Sequence, residues 1–548
     1  MINYNDYGIK FDSDKKRLDE FYKKNKEEFK QDMTSNPYRV LCDILGMSFK
    51  NADRTLLAHK LAKPDSECRC QYAVYAALKD NEGKGNTRMT DSDLAMSVHS
   101  LAPEAMKHIV DVVKTDKSIY YDAQRHLVCK LNTYNAEVNI ADNIKSRLKI
   151  KEPLNVDVSK YSTIDGNELT DEQLSVLEMV RDNAVCMING SAGVGKSFTT
   201  KAVVDMLEDA GYRVALLAPT GIASKVLRNY TKHQASTVHM FLTSVWQPDV
   251  ILIDEMSMVS VHLLSLLLAA TENQPRLIFV ADNAQLASIS CGNIVQDIIK
   301  SGIVPRVELT KIFRYNTSGI VTLATDMRHG SVEHLTEQYP DYEFIATTDK
   351  PIEQTVAVYD KLLSSGYSTD DVMILCPFNK HIGCDAINKQ ISDEYNHNEP
   401  VRKNSAIKIG DKVINTKNDY SSGDLIANGD IGYLREYKYN RSTKRHDCTV
   451  EFDDGCHMVK SIERLKQAYA VSVHKCQGSS ADVVVVLIDK SHGFFLSRNL
   501  MYTAMTRARK KLIVIGDADA IAEGAERVEQ DERDTWLCEF LLDKQALV

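Results

Sequence analysis

The sequence has no long apolar run. Its densest apolar stretch, residues 263–270, falls far short of the roughly 20 apolar residues that a membrane-spanning helix needs. The first residues, Met1 to Asp6, also lack the basic and then apolar pattern of a secretory signal. We therefore expect no membrane contact and a protein that stays in the cytoplasm.

Cysteine and histidine pairs at zinc-finger spacing are missing as well. The twelve cysteines are scattered singly, as buried apolar residues often are. Cys68 and Cys70 have no second pair. One other group of candidate ligands is poorly spaced for zinc: His446, Cys448, Cys456 and His457. We expect reduced thiols and no zinc site.

Positive charge is not in excess. The 548 residues carry a net charge of −9, which argues against a surface coated in positive potential. A local basic groove that binds nucleic acid remains compatible with that charge. The hydrophobic fraction of 43% and the charged fraction of 26% are those of a globular protein. A chain of this length exceeds one core, and we expect about three or four domains.

A glycine-rich segment is the most informative feature that is present. Residues 190–197 read GSAGVGKS and match the pattern G-x-x-x-x-G-K-[ST]. A strand-like run, 184–188, precedes the segment and a helical pattern, 198–210, follows it. Such a loop cradles phosphates with backbone N–H groups at the positive end of a helix. The sequence predicts a nucleoside triphosphate bound by Gly190, Ser191, Ala192, Gly193, Val194, Gly195, Lys196, Ser197 and Phe198.

Four side chains near this loop have expected chemical roles. Lys196 reaches the β- and γ-phosphates, and the Ser197 hydroxyl ligates Mg²⁺. A later apolar run, 250–253, ends in Asp254 and Glu255. We expect Asp254 to hold Mg²⁺, directly or through water, and Glu255 to orient the attacking water. Together they predict a centre for phosphate hydrolysis.

Short apolar runs alternate with helical stretches in two sets along the chain. The first set is 214–218, 250–253 and 277–280, and the second is 372–375, 482–488 and 512–516. Continuous apolar strands separated by helices predict parallel sheets covered on both faces. The fold class is therefore α/β, with two lobes that face each other across the nucleotide.

Three more polar side chains belong to the predicted site. Gln285 follows the run 277–280, where open α/β sheets bind ligands, and is expected to contact the γ-phosphate or the attacking water. Arg314 and Arg507 lie near the edges of the second lobe. An arginine from that lobe neutralises the charge that develops on the transferred phosphoryl group. Taken alone, each arginine is better explained as a surface ion-pair partner.

Further motifs occur in a fixed order between Leu169 and Gly516. They are LTDEQ at 169–173, LAPTGIASK at 217–225, STVH at 236–239, VSVHKCQGS at 471–479 and YTAMTRAR at 502–509. As a set they resemble the RecD-type branch of the superfamily 1 helicases, the class 1B group. The resemblance implies two RecA-like motor lobes and ATP with Mg²⁺. It also implies that Gln173 reads adenine and that Gly478 lies at the nucleotide.

The same resemblance implies a track for single-stranded DNA across both lobes. The implied residues are Pro219, Thr220, Thr237, His239, Phe378, Asn379, His474 and Lys475. Hydroxyl, imidazole and ammonium groups bind phosphates, and an aromatic ring stacks on bases. Movement from 5′ to 3′ is implied too, although no residue of this chain encodes that direction by itself.

Both flanks extend the resemblance. Residues 407–465 alternate as β-strands do, with turns at 428–430 and 453–455, and resemble a small SH3-like barrel inserted in the second lobe. Its hairpin tip, 440–445, either touches phosphate or is a solvated turn. Residues 35–53 resemble the helix-hairpin-helix opening of the RecD N-terminal domain, although Ser48 replaces an expected glycine. Residues 70–148, with a strand pair within 119–132, resemble its winged-helix remainder.

These patterns predict four units. The expected boundaries are 1–150 for a mostly helical N-terminal domain, 151–308 for the first RecA-like lobe, 309–548 for the second lobe and 405–466 for the inserted barrel. The N-terminal domain either contacts nucleic acid or only packs on the motor.

One departure from the RecD pattern concerns the pin, a β-hairpin that splits the duplex. It usually lies between the Thr-x-His motif and the Asp-Glu strand, but here only residues 240–249 separate His239 from Val250. We expect no pin in the first lobe. Trp246 then either stacks on the terminal base pair or is a partly buried core aromatic. The inserted barrel and the N-terminal domain are other candidates for the splitting element.

The predicted function is that of an ATP-dependent DNA helicase. It would act as a monomer on single-stranded and forked DNA, with replication or recombination proteins as candidate partners. Two alternatives stay open. One is a single-strand translocase that displaces bound proteins, and the other is an ATP-gated DNA-binding subunit of a recombination or nuclease assembly. The sequence shows no carboxylate cluster of nuclease type.

Overall fold

The computed structural model describes residues 12–311, 318–418, 426–440, 445–452, 455–459, 461–528 and 533–543. These residues form a helical N-terminal part with a three-stranded sheet, two parallel sheets flanked by helices, a five-stranded antiparallel sheet and a two-stranded antiparallel sheet. Within the described ranges, no helix is long and apolar enough to cross a membrane. All twelve cysteines are free thiols, as expected.

The N-terminal part consists of helices around one small sheet. Its elements are α1 (Asp12–Lys24), α2 (Lys26–Ser35), α3 (Phe49–Ala58), α4 (Glu67–Gly83), β1 (Met89–Thr90), α5 (Asp91–Leu101), α6 (Ile109–Thr115), β2 (Ile119–Asp122), β3 (Leu127–Lys130) and α7 (Leu131–Leu148). Strands β2 and β3 pair antiparallel, which confirms the predicted strand pair. The last helix, α7, packs its apolar side into the core of the next unit rather than into its own.

The first lobe is a six-stranded parallel sheet in the order β11-β6-β10-β9-β7-β8. Its elements are β4 (Thr163–Ile164), β5 (Asn167–Glu168), α8 (Asp171–Asp182), β6 (Val185–Gly190), α9 (Lys196–Asp209), β7 (Val214–Ala218), α10 (Gly221–Thr231), β8 (Ala235–Thr237), α11 (Val238–Phe241), β9 (Val250–Ile253), α12 (Val261–Ala269), β10 (Arg276–Ala281), α13 (Ile294–Ser301) and β11 (Arg306–Leu309). Separate apolar clusters cover the two faces, so β6 and β9 are buried throughout. This explains their continuous apolar sequence.

The second lobe is a five-stranded parallel sheet in the order β12-β21-β20-β13-β19. Its elements are α14 (Gly319–His329), β12 (Tyr342–Ala346), α15 (Pro351–Ser364), β13 (Val372–Cys376), α16 (Cys384–Tyr395), β19 (Ala470–Ser472), β20 (Ala481–Ile488), α17 (Arg498–Met505), β21 (Ala508–Gly516) and α18 (Ala518–Glu526). The predicted pair of α/β lobes is confirmed.

The inserted segment forms an antiparallel sheet between α16 and β19. Its strands are β14 (Lys412–Asn415), β15 (Ile431–Asn440), β16 (Arg445–Phe452), β17 (Gly455–Val459) and β18 (Leu465–Gln467), in the order β17-β16-β15-β14-β18. Closure of this sheet into a barrel stays a prediction. The hairpin tip at 441–444 lies outside the described residues.

The C-terminal segment returns to the first lobe and the N-terminal part. Its helix α19 (Leu537–Leu542) packs with α7 and α13 in the core of the first lobe. The Trp536 ring is buried, and the Arg88 guanidinium lies 4.6 Å from its centroid. Residues 533–543 therefore lie away from the second lobe, within whose predicted range, 309–548, they fall.

The connection from α11 to β9 contains no hairpin. Residues 242–249 are all described and include no strand, which confirms the expected lack of a pin at this place. Trp246 is 43% exposed and rests its edge on Phe241, with 6.2 Å between the ring centroids. It is a half-exposed side chain at the surface of the first lobe, and not a core residue.

Candidate active site and nucleic-acid interface

The glycine-rich loop joins strand β6, which lies between β10 and the edge strand β11, to helix α9. Gly193 and Gly195 have φ values of 82° and 83°, a region that glycine enters without strain. A Cβ at Gly190 would lie 2.8 Å from Val194 Cγ2 and 3.0 Å from the Leu309 carbonyl oxygen, so this position also requires glycine. The sequence thus folds here into a tight loop in front of a helix N-terminus, the arrangement that binds phosphates.

Lys196 points back into this loop. Its Nζ donates hydrogen bonds to the carbonyl oxygens of Gly190 (2.5 Å) and Ser191 (2.9 Å). The same ammonium lies 3.5 Å from Asp282 Oδ2 at the end of β10. A cation is therefore held at the centre of the loop, next to the helix N-terminus.

Asp282 connects the phosphate loop of the first lobe to the second lobe. Its Oδ2 accepts hydrogen bonds from the Tyr502 hydroxyl (2.8 Å) and from Gln285 Nε2 (3.4 Å). The Tyr502 oxygen in turn accepts from the Ala192 backbone N–H at 3.1 Å. Tyr502 lies on α17 of the second lobe, so its hydroxyl contacts two elements of the first lobe.

The two predicted carboxylates follow β9. Asp254 Oδ2 accepts from the Tyr230 hydroxyl at 2.7 Å, and Asp254 Oδ1 accepts from the Glu255 backbone N–H at 2.9 Å. Glu255 has a φ of 50°, which is uncommon for a residue with a side chain. Burial raises the pKa of both carboxyls, while the Arg507 guanidinium opposes that shift at Glu255. Arg507 therefore acts electrostatically on Glu255.

Arg507 is only 6% exposed, so it is not the surface ion-pair partner that it resembles in isolation. Its Nε donates to the Thr503 carbonyl oxygen (3.0 Å) and its Nη1 to the Ser479 carbonyl oxygen (3.3 Å). The backbone thus fixes the guanidinium on the inner side of the second lobe. Arg314, the other predicted arginine, lies outside the described residues.

A cavity of about 290 Å³ opens between the lobes beside the loop. Its walls include Ser191, Ala192, Thr310, Ile320, Arg328 and Tyr502. The residues present fit a nucleoside triphosphate with Mg²⁺, because a glycine cradle and an ammonium face hydroxyl and carboxylate oxygens, the ligands that Mg²⁺ prefers. Ser197 and Asp254 would hold the metal, and Lys196 the phosphates.

Gln173, expected to read adenine, has a local structural role. Its Oε1 accepts from the Thr170 backbone N–H (3.0 Å), and its own N–H donates to Thr170 Oγ1 (3.3 Å). This capping box begins α8. The neighbouring Glu172 accepts from the backbone N–H groups of Thr310 and Lys311, which ties α8 to the segment that leads to the second lobe.

Five predicted track residues meet at a second cavity of about 350 Å³. They are Pro219, Thr220, His239, His474 and Lys475. The structure adds Ser288, Ile289 and Ser290, which no motif includes, and Gln477, which stands in the motif at 471–479 without an assigned role. Ile289 is 69% exposed, so an apolar side chain is presented beside the polar ones. Hydroxyl, imidazole, ammonium and apolar groups thus line one groove between the lobes.

The other predicted track residues, Thr237, Phe378 and Asn379, do not line this groove. The Thr237 hydroxyl caps α11 by accepting from the Met240 N–H at 3.1 Å. The Phe378 ring instead packs against Phe495, with 5.4 Å between the centroids. A Cβ at Gly478 would lie 2.9 Å from Ala223 Cβ and 3.3 Å from Thr220 Oγ1, so Gly478 packs against the start of α10, and its contact with the nucleotide stays a prediction.

Three functional candidates escaped the motif analysis: Asp282, Tyr502 and Tyr230. Tyr502 begins the motif at 502–509, and Asp282 lies between the apolar run 277–280 and Gln285, so both positions carried a usable signal. Tyr230 stands in no motif, and only the packing of α10 brings its hydroxyl to Asp254.

Three family models match the chain. One described as an AAA domain matches residues 168–350, and one described as a UvrD-like helicase C-terminal domain matches 467–515. A third, described as an ATP-dependent RecD2 DNA helicase HHH domain, matches residues 1–88. With its N-terminal match to a RecD2 model, the chain is similar to the RecD-type helicases of superfamily 1B. The resemblance drawn from the motifs is confirmed.

Two curated proteins named for RecD2 and RecD align with about two thirds of the chain. The chain is 32% identical over 395 residues to the ATP-dependent RecD2 DNA helicase of Deinococcus radiodurans, an alignment that covers 68% of this chain and 52% of that protein. It is 27% identical over 413 residues to the RecBCD enzyme subunit RecD of Mycolicibacterium smegmatis, with 65% and 73% covered. The RecD-type chain thus spans about half the length of the Deinococcus relative.

Among solved structures, the chain is similar to the Pif1 helicase from Candida albicans. The identity is 18% and the TM-score is 0.42, with 64% of this chain and 95% of that chain covered.

Proposed function

We propose that this RecD-type chain is an ATP-driven DNA helicase that translocates on single-stranded DNA and opens duplex DNA. The observation that carries the proposal is the meeting of two sites at one interface between lobes. Tyr502 of the second lobe contacts the phosphate loop, and Arg507 of the same lobe acts on the charge of Glu255. The groove takes His239 from one lobe and His474 from the other.

ATP and Mg²⁺ are the proposed cofactors. Lys196 and the loop N–H groups would bind the phosphates, and Ser197 with Asp254 would hold the metal. Mg²⁺ supplies charge neutralisation at the phosphates when it is bound. Glu255 would orient the attacking water, and Arg507 would stabilise the charge of the transferred phosphoryl group. Gln285, whose amide donates to Asp282, would contact the γ-phosphate or the attacking water.

Coupling between the sites is proposed to run through the contacts between lobes. Leu286 N–H donates to Thr503 Oγ1 at 2.9 Å, and Gln477 Nε2 donates to the Leu286 carbonyl oxygen at 3.2 Å. The same short segment, residues 282–290, therefore contacts Lys196, the second lobe and the groove. A change in the separation of the lobes at the nucleotide would shift the two halves of the groove relative to each other.

Several finer properties belong to the same proposal. The expected direction is 5′ to 3′ along the loading strand, the expected state is a monomer, and the expected compartment is the cytoplasm. Single-stranded and forked DNA are the proposed substrates, and replication or recombination proteins are candidate partners. Phe378 and Asn379 would extend the track beyond the groove.

Steady-state ATP hydrolysis by the purified chain tests the proposal. Single-stranded DNA should accelerate hydrolysis in the presence of Mg²⁺, and an equal concentration of RNA shows whether the track selects DNA. A rate that neither nucleic acid changes would contradict a coupled motor. Stimulated hydrolysis without strand separation would favour the translocase alternative.

A further inference from the structure

Tyr230 connects the two side chains that would hold the metal. It lies in the last turn of α10, and its hydroxyl donates to Asp254 Oδ2 at 2.7 Å. The Ser197 side chain lies beside the same phenol and opposes, by hydrogen bonding, the rise that burial causes in the pKa of Tyr230. Ser197 lies in the first turn of α9 and Asp254 directly follows β9, so the phenol lies between the two walls of the site.

The surroundings fix where this hydroxyl lies. Helix α10 begins at a Thr220 cap, whose Oγ1 accepts from the Ala223 N–H at 3.2 Å. It ends at Lys232 in the left-handed region, with the Lys232 N–H on the Arg228 carbonyl oxygen. Thr231, next to Tyr230, is fully buried and donates to the Leu227 carbonyl oxygen. The helix end that carries the ring is therefore anchored.

Both oxygens of Asp254 are also oriented. Oδ2 accepts from Tyr230, and Oδ1 accepts from the Glu255 N–H. A carboxylate held by two donors on different elements keeps one rotamer. The remaining lone pairs then point in fixed directions before any ligand arrives.

We propose that Tyr230 is a positioning residue for Mg²⁺: its hydroxyl orients Ser197 and Asp254 for metal binding without itself touching the metal or the nucleotide. The inference rests on the proposed nucleotide site. Asp254, held by the phenol, and Ser197, beside it, would then keep their oxygens available to the metal. Partners of this kind commonly change metal affinity by about 10- to 100-fold when they are removed.

The proposed role belongs to the hydroxyl group of Tyr230 and not to its ring. Phenylalanine at position 230 fills the same space and keeps the apolar contacts of the ring, but it removes the donor to Asp254. A role in packing alone predicts no effect of that change on metal-dependent binding. This separates a positioning role from a structural one.

The test compares nucleotide binding by the full chain in excess Mg²⁺ and in EDTA. A fluorescent ADP analogue serves as the probe, and the variant is Tyr230→Phe. We expect its affinity in Mg²⁺ to fall about tenfold relative to the parent, with affinity in EDTA unchanged. The Mg²⁺ concentration for half-maximal binding should rise by a similar factor.

Tyr161→Phe is the matched control. Tyr161 is in the same lobe, and its hydroxyl likewise donates to a carboxylate, Asp209 Oδ2, at 2.8 Å. This variant should keep the parental affinity under both conditions, and both variants should unfold at the parental temperature.

Two results would overturn the inference while leaving the nucleotide site intact. One is an unchanged Mg²⁺ dependence in Tyr230→Phe. The other is tighter Mg²⁺-dependent binding, which would mean that the hydroxyl competes with the metal. A parent chain that binds no nucleotide would instead overturn the proposed function itself.

Discussion

Asp282 is the residue at which contacts of the phosphate loop, its own segment and the second lobe converge. Its carboxylate receives Lys196 from the loop, Gln285 from its own segment and Tyr502 from the second lobe. In the proposed function, bound phosphate competes with this carboxylate for Lys196. Loss of Lys196 from Asp282 would change the hydrogen bonds of Tyr502, so that phosphate binding at the loop would alter a contact of the second lobe.

Lys196→Ala should abolish ATP hydrolysis, because it removes the ammonium from the centre of the loop. Binding of single-stranded DNA without nucleotide should remain, since the groove residues lie elsewhere. Lys201→Ala is a suitable control, because Lys201 is on the same helix but pairs with Asp205 at 3.0 Å. ATP hydrolysis by Lys196→Ala near the parental rate on DNA would refute the site assignment.

Glu255→Gln should still bind ATP but hydrolyse it more slowly by about two or more orders of magnitude, the range lost when a general base is removed. Single-turnover hydrolysis and equilibrium binding of an ATP analogue measure the two steps separately. The exposed Glu168→Gln serves as the control. If binding and hydrolysis fell together in Glu255→Gln, Glu255 would have a structural role.

Local sequence was enough to predict the placement of Lys196, Asp254 and Glu255, since a loop between strand and helix and a strand end are defined by neighbours along the chain. Tyr230 was not predictable in this way. Its contact depends on how α10 packs against β9, which no spacing rule records. The capping role of Gln173 was readable from the pattern T-x-x-Q but was hidden by its expected adenine contact.

At the scale of elements, the continuous apolar strands were the easiest to predict. Strands β7 and β9 have the predicted limits, because strands buried on both faces must be apolar throughout. The edge strands β8, β11, β12 and β19 were missed. β11 alternates exposed and buried side chains in only four residues, too few for a clear pattern. The position of α19 against the first lobe was also unpredictable, because it depends on long-range packing.

The C-terminal segment is hydrogen-bonded to a buried carboxyl group, that of Glu137. Glu137 of α7 is fully buried, and its Oε2 accepts from the Trp536 backbone N–H at 3.3 Å. Burial raises the pKa of Glu137 from 4.5 to about 8. The folded state therefore keeps a proton that the unfolded chain releases, so stability falls as pH rises from about 4.5 to about 8.

Glu137→Gln should reduce this pH dependence, because an amide stays neutral at every pH. Between pH 6 and pH 8, the melting temperature of the variant should fall less than that of the parent. This range lies within the window of about 4.5 to 8. Glu178→Gln, at an exposed position of α8, should behave like the parent. Equal slopes in Glu137→Gln and the parent would show that Glu137 does not couple protonation to folding.

Trp246 is the exposed aromatic nearest to the place where a pin would stand in the chain. If it stacks on the terminal base pair, Trp246→Ala should slow unwinding of forked DNA without changing the ATPase rate on single strands. The loss of one stacking ring is worth about 1–3 kcal/mol. Equal unwinding by variant and parent would leave strand separation to the inserted sheet or the N-terminal part. Tyr439→Ala, on β15, would probe the inserted sheet in the same assay.

At the scale of the whole molecule, two α/β lobes enclose both candidate sites. The nucleotide cavity and the groove are each lined by residues of both lobes, so a motion between the lobes changes the shape of both. The order of motifs was sufficient to predict this architecture. The direction of movement is a property of the whole cycle, and for that reason no single residue encodes it.

Unwinding of paired substrates by the purified chain tests the central claim most directly. Each substrate has the same duplex with a single-stranded tail at either the 5′ or the 3′ side, and ATP with Mg²⁺ is added. The account predicts strand separation from the 5′-tailed substrate, none without ATP, and none by Lys196→Ala. Absence of unwinding from either tail, despite DNA-stimulated ATP hydrolysis, would contradict the assignment as a helicase.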